Sequence, residues 1–102
     1  MKTIEFNGAI TLDEIFENHK KIIYDSLIES IQEDLENPSS QVTVIKITVN
    51  EKEYTINLGR DRFLKSLDRA RLFYETLEDY EKCQECVNLS NTLLLKNYIN
   101  GI

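Results

Sequence analysis

The stretch VTVIKITVNEKEYTINL, residues 42–58, decides the fold. Val42–Val49 and Tyr54–Leu58 are rich in β-branched residues and alternate, and Asn50-Glu51-Lys52-Glu53 joins them. Asn50 tolerates the left-handed backbone of a tight hairpin turn. With a loop of two residues or of four the parity is unchanged. Ile45, Ile47 and Val49 then share a face with Tyr54, Ile56 and Leu58, and a β-hairpin is predicted.

Upstream, Lys2–Phe6 alternates with Ile4 and Phe6 on one face and predicts a short N-terminal strand, closed by the turn signal Asn7-Gly8. Thr11 followed by Glu14 is a capping box. The helix it opens is predicted to run to Glu36, where Asn37-Pro38 and Ser39-Ser40 stop it. Leu12, Ile15, Phe16, His19, Ile23, Leu27, Ile31 and Leu35 recur at spacings of three and four, the buried face of one long amphipathic helix. Ile22, Tyr24 and Ile28 flank that stripe and widen its apolar arc. A stripe of this length exceeds what a core of this size covers, so part of it is expected to meet a partner.

Downstream, Gly59 ends the second strand and Asp61 is placed to cap a helix over 62–77. Its inner face is Phe63, Leu67, Ala70, Tyr74 and Leu77, with Leu64 and Phe73 beside it. Glu78-Asp79 reads as a break, with Asp79 capping a last helix over 80–98 and Asn100-Gly101 at its frayed end. That helix is expected to bury Tyr80, Cys83, Cys86 or Val87, Leu89, Leu93 and Leu94. The predicted class is α+β in one domain, 1–102: a long N-terminal amphipathic helix, an antiparallel sheet of two or three strands around the hairpin, and a C-terminal helical hairpin.

The chain has 102 residues, of which 41% are hydrophobic and 29% charged, with three Gly and one Pro. That balance argues for one folded domain and against disorder. No apolar run reaches the roughly 18 residues that cross a bilayer. The N-terminus has no apolar stretch behind its lysine, so no secretory signal is expected and the cytoplasm is the expected location. Residues 1–36 hold nine acids and three bases, the whole net charge of −6. Residues 60–71 are basic (Arg60, Arg62, Lys65, Arg69 and Arg71 against Asp61 and Asp68), and 75–85 are acidic. A dipolar molecule follows, and its net negative charge disfavours non-specific nucleic-acid binding. The scarcity of Ala, limited to Ala9 and Ala70, points to an AT-rich coding genome, bacterial or phage.

Leu67, Ala70, Tyr74 and the run Glu78-Asp79-Tyr80-Glu81-Lys82-Cys83 resemble the helical hairpin of a tetratricopeptide repeat. The resemblance covers about 25 residues in one copy. It implies an aromatic closing the first helix, an acidic turn and tyrosine opening the second, and small residues at Cys83 and Ser90 where the helices touch. Arg71 departs from it, since the family has Gly or Ala there. In general look the whole chain is also similar to small accessory proteins of tailed phages.

Cys83 and Cys86 form a C-x-x-C. A redox pair wants its first thiolate at the N-terminus of a helix in a thioredoxin-like unit, which this sequence lacks, and Glu81 and Glu85 would oppose a thiolate. A zinc site needs four ligands, and the chain offers Cys83, Cys86, His19 and a carboxylate, so zinc is expected only if shared across a dimer. Core packing of two small apolar side chains on one helix face is favoured, and no metal or other cofactor is expected. His19 has no Ser or Cys partner at triad spacing and is read as structural. Asp13 with Glu17 and Glu29 with Glu33 have i, i+4 spacing, which marks a solvated face. No metal-ligand pair or phosphate loop occurs, so the chain is not expected to be an enzyme.

The expected function is binding: a small interaction protein that docks on a protein partner or on itself. Ile22, Tyr24 and Ile28 are the expected contacts, with Glu29, Glu33 and Asp34 as an acidic rim. Arg62, Lys65 and Arg69 share a helix face opposite Phe63, Leu67 and Ala70. They are candidates to hold phosphates beside Phe73 or Tyr74, or to pair with the acidic first helix in the chain or across an oligomer. Nucleic-acid binding, or mimicry of nucleic acid by the acidic face, is the alternative. No membrane role is expected.

Overall fold

A computed structural model describes residues 2–100, with backbone alone for 97–100. The elements run β1 (Lys2–Phe6), α1 (Leu12–Asn18), α2 (Lys20–Glu36), β2 (Gln41–Val49), β3 (Lys52–Gly59), a single 3₁₀ turn (Arg60–Arg62), α3 (Phe63–Thr76) and α4 (Tyr80–Asn100). Contacts divide the chain into two compact units, Met1–Arg60 and Asp61–Ile102. The class is α+β, as expected, with a three-stranded sheet in the first unit and a helical hairpin in the second.

The β2–β3 hairpin closes through a two-residue turn, Asn50 at φ 48° and Glu51 at φ 72°. Two successive positive φ values match the right-handed twist of the flanking strands. Ile45 faces Ile56 and Ile47 faces Tyr54, the predicted shared face. A bulge between Thr43 and Ile45 shifts the register so that Val42 meets Leu58 and Val44 becomes an extra, buried residue. The Ser30 hydroxyl of α2 lies 2.8 Å from the Ser26 carbonyl and 3.2 Å from that of Thr43, beside the bulge.

The expectation of an antiparallel sheet is corrected. The third strand is present, but β1 pairs with β2 in parallel, Ile4 against Ile47 and Phe6 against Val49, so the sheet is mixed with order β1-β2-β3. Parallel neighbours need a crossover connection of a dozen or more residues, and α1 and α2 supply one between β1 and β2. Asn50 ties the strand ends together. Its side chain accepts from the Gly8 amide at 2.9 Å and donates to the Gly8 carbonyl at 2.7 Å, while its own amide donates to Phe6 at 3.0 Å.

The single long first helix is corrected as well. Thr11 caps its start by accepting the Glu14 amide at 3.2 Å, but the helix breaks at His19 (φ −128°, ψ 32°) and restarts at Lys20. Asn18 and His19 are both poor helix formers. The His19 ring also packs tilted against Phe6, with centroids 4.8 Å apart and the planes at 56°. Because of the break, the stripe from Leu12 to Leu35 is not one straight face. Ile15, Leu27 and Ile31 are buried, and of the eight stripe residues only Phe16 stays exposed.

Asp34 sits near the end of α2 and is almost wholly buried. One carboxylate oxygen accepts the Ser39 amide and the Ser39 hydroxyl, each at 2.9 Å, and the other forms an ion pair with Arg60. Arg60 also donates through Nε to the Ser39 carbonyl at 2.9 Å, and its amide donates to Ser40 at 2.9 Å. One side chain therefore holds the end of α2, the turn into β2 and the end of β3.

In the second unit, α3 starts at Phe63 without a side-chain cap. Asp61 lies in the 3₁₀ turn and does not serve as the cap that its position suggested. Phe63, Leu67, Ala70 and Tyr74 are buried on α3, and Cys86, Leu89 and Leu93 on α4. Glu78 ends α3 in the left-handed conformation at φ 58°, with the Asp79 amide donating back to Tyr74 at 3.0 Å. Asp79 then caps α4 by accepting the Lys82 amide at 3.3 Å. The expected frayed end at Gly101 lies outside the described residues.

Two substitutions test these constraints by urea unfolding. Asp34→Ala removes the acceptor of the Ser39 amide and the ion-pair partner of Arg60 and is expected to cost about 2–4 kcal/mol; a change near zero means the carboxylate does not anchor the fold. Glu51→Gly relieves a side chain held at positive φ and is expected to stabilise by about 0.5–1 kcal/mol.

Candidate functional site

On α2, the 100° step per residue puts Ile22, Glu29, Glu33 and Glu36 on one line, opposite Leu27 and Ile31. The three glutamates are exposed and Ile22 is half-buried. Two expected contact residues are corrected. Ile28 is 1% exposed and belongs to the core beside Leu27 and Ile31. Asp34 is 4% exposed and spends its charge on Arg60, so it forms no part of an acidic rim. Tyr24 is half-buried and turned away from the glutamate line, where it borders a depression of about 200 Å³ with Phe16, Lys20 and Ile23.

Lys65 and Arg69 are exposed on α3, where the helical step sets them opposite Phe63, Leu67 and Ala70, and Arg62 is exposed in the 3₁₀ turn just before it. None of the three makes an ion pair among the described residues. Tyr74 is fully buried and presents no face to a base; Phe73, half-buried, packs edge-on against it at 5.5 Å. The acids of this helix are engaged elsewhere, because Arg71 holds Asp68 at 2.9 Å and Glu75 at 3.3 Å.

The hairpin exposes more apolar surface than its pattern predicts. Leu77, Tyr80 and Leu94, all expected inside, are exposed, Tyr80 to 66% and Leu94 to 52%, and of the pair Cys86 and Val87 it is Cys86 that turns inward. Within its unit α4 has a single neighbouring helix, so only one arc of it is covered. Tyr80, Val87 and Leu94 are seven residues apart and form a nearly straight row about 21 Å long. Beside the row lies a shallow cleft of about 170 Å³ between α3 and α4, with Leu67 and Cys86 at its floor and Arg71, Val87, Ser90 and Asn91 at its rim. Its volume is below that of a small-molecule site, roughly 300–1,000 Å³. The row escaped the sequence reading, although its seven-residue spacing was the available signal.

The two cysteines sit on α4 in different surroundings. Cys83 is half-buried and its thiol donates to the Arg71 carbonyl at 3.4 Å, where the two helices approach closely. Cys86 is buried, and desolvation, followed by the charges of Cys83 and Glu85, pushes its thiol up to about 11. Among the described residues no group of three His, Cys, Asp or Glu side chains is gathered in a way that would hold a metal ion. No described helix is long and apolar enough to cross a membrane. No family model, curated protein or solved structure matches the chain. The likeness of residues 67–90 to a tetratricopeptide hairpin therefore assigns no family.

The raised Cys86 value fixes the sign of a pH effect. The folded chain keeps this proton to about pH 11, whereas an ordinary thiol releases it near 9. The stability that the neutral thiol contributes is therefore present below about pH 9 and lost as the pH rises toward 11. Melting temperature is expected to fall more steeply over that window in the wild type than in Cys86→Ala; parallel slopes count against it.

Proposed function

We propose that this protein is a non-enzymatic protein–protein interaction module. The observation that carries the reading is the exposed row Tyr80–Val87–Leu94, set beside a cleft too shallow for a small molecule. Exposed apolar side chains lined up on one helix face mark a site of contact, because the water around them is released when another surface covers them. Leu77 at the hairpin turn and Leu95 on α4 add to the apolar area. Tyr80 supplies the large, half-polar side chain typical of contact anchors.

A second reading is nucleic-acid binding through Arg62, Lys65 and Arg69, favoured by their lack of ion-pair partners. It is opposed by the net charge of −6 and by the burial of Tyr74. It requires affinity that falls steeply with salt.

The test compares wild type with a Tyr80→Ser/Val87→Ser/Leu94→Ser variant of unchanged circular dichroism, by light scattering and by parallel affinity capture at about 0.5 M salt, where exposed charges are screened. A second copy or another protein held by the wild type and lost by the variant is the expected result. Equal retention by both, or no protein retained selectively, overturns the reading.

A further inference from the structure

The outer faces of α2 and α3 carry charges placed against the local fields of their own helices. Glu33 and Glu36 lie in the last turns of α2, whose C-terminal end is the negative pole of its dipole, and no base occupies its last turn. Arg62 and Lys65 lie at the start of α3, the positive pole, and no acid occupies its first turn. Like charges three and four residues apart on one face add mutual repulsion. Within its own unit, no side chain of Glu29, Glu33, Glu36, Arg62, Lys65 or Arg69 makes a hydrogen bond or ion pair among the described residues. Each row therefore destabilises the unit that carries it, and each is relieved by a surface of opposite sign.

The two rows also match in spacing. Read forward, Glu29, Glu33 and Glu36 step by four and three residues; read backward, Arg69, Lys65 and Arg62 do the same. Antiparallel helices in this register bring Glu29 to Arg69, Glu33 to Lys65 and Glu36 to Arg62 over a length of about 10 Å. The opposed dipoles are then aligned favourably too. At the same end of the contact, half-exposed Leu72 continues the basic row and Ile22 continues the acidic one.

We infer that a second copy of this chain docks the acidic row of its α2 against the basic row of α3, antiparallel and in that register. The inference rests on the reading of the chain as a protein-binding module, but it uses a different surface from the α4 row. Because each copy carries both rows, reciprocal contact gives a closed dimer and one-way contact gives a growing chain. Surface ion pairs contribute little each, so the association is salt-sensitive and acts mainly on orientation.

The test reverses the charges in two variants, Glu29→Lys/Glu33→Lys/Glu36→Lys and Arg62→Glu/Lys65→Glu/Arg69→Glu, followed by sedimentation at low and high salt. The wild type is expected to self-associate at low salt, with affinity falling at least about tenfold at roughly 0.5 M. Each variant alone is expected to remain monomeric, and an equal mixture of the two to recover association to within a few-fold of wild type. At low salt, and dilute enough for the wild type to be monomeric, both are expected to melt above it, because their charges now agree with the helix dipoles. A wild type that is monomeric at low salt overturns the inference, as does a mixture that stays monomeric. A lower melting temperature in either variant shows that the rows are satisfied within the chain and also overturns it. Association that survives both reversals but is lost on serine substitution along α4 removes this interface and leaves the binding reading standing. Salt-sensitive binding of a single-stranded oligonucleotide by a monomeric wild type, lost in the Arg62/Lys65/Arg69 variant, overturns it in favour of nucleic acid.

Discussion

The carboxylate of Asp34 is a charge taken almost wholly out of water, and the first unit is arranged around satisfying it. A buried carboxylate is tolerable only with its lone pairs filled, and here the Ser39 amide, the Ser39 hydroxyl and Arg60 fill them. Those partners come from the turn after α2 and from the end of β3. Satisfying one side chain therefore fixes where the helix stops and where the hairpin returns. The neighbouring backbone pairing, Arg60 to Ser40 and Gly59 opposite Gln41, continues the same closure into the sheet. Asn50 performs a similar service at the other end of the sheet, where its amide side chain holds Gly8.

With the sheet and α2 held in this way, the charges left on the outer faces become informative. Acids at a helix C-terminus and bases at a helix N-terminus are local liabilities. On the outer rows of α2 and α3 they are left uncompensated, whereas on other faces of the same two helices charge is paired, as in Lys21 with Asp25 and Arg71 with Asp68. The apolar row on α4 is a liability of another kind, unfavourable contact with water. All three features cost stability in a lone chain and are relieved by contact with another surface, which is the physical content of reading the protein as a binding module.

Much of the secondary structure was legible because it rests on local rules. The hairpin followed from β-branched alternation and the tolerance of Asn50 for positive φ, and the Thr11 and Asp79 caps from side chains that reach amides three residues on. The candidate contacts were legible only in part. Ile22, Glu29 and Glu33 do lie on one outer line. Ile28 and Asp34 do not, because a side chain at the margin of an amphipathic stripe is assigned inward or outward by what packs on it. The kink at His19 escaped periodicity altogether: a stripe counted through one residue of broken helix still looks continuous.

The sequence by itself determined the α+β class, the hairpin and its face, the ends of most helices and the segregation of charge, since each depends on residues within a turn or two of one another. Tertiary structure decided the parallel pairing of β1 with β2, the break between α1 and α2, the burial of Asp34 with Arg60, and the exposure of Tyr80 and Leu94. Each of these depends on a distant partner, or on the lack of one. A residue's apolar character says that it would gain by burial, but only the arrangement of the other elements says whether anything is there to bury it.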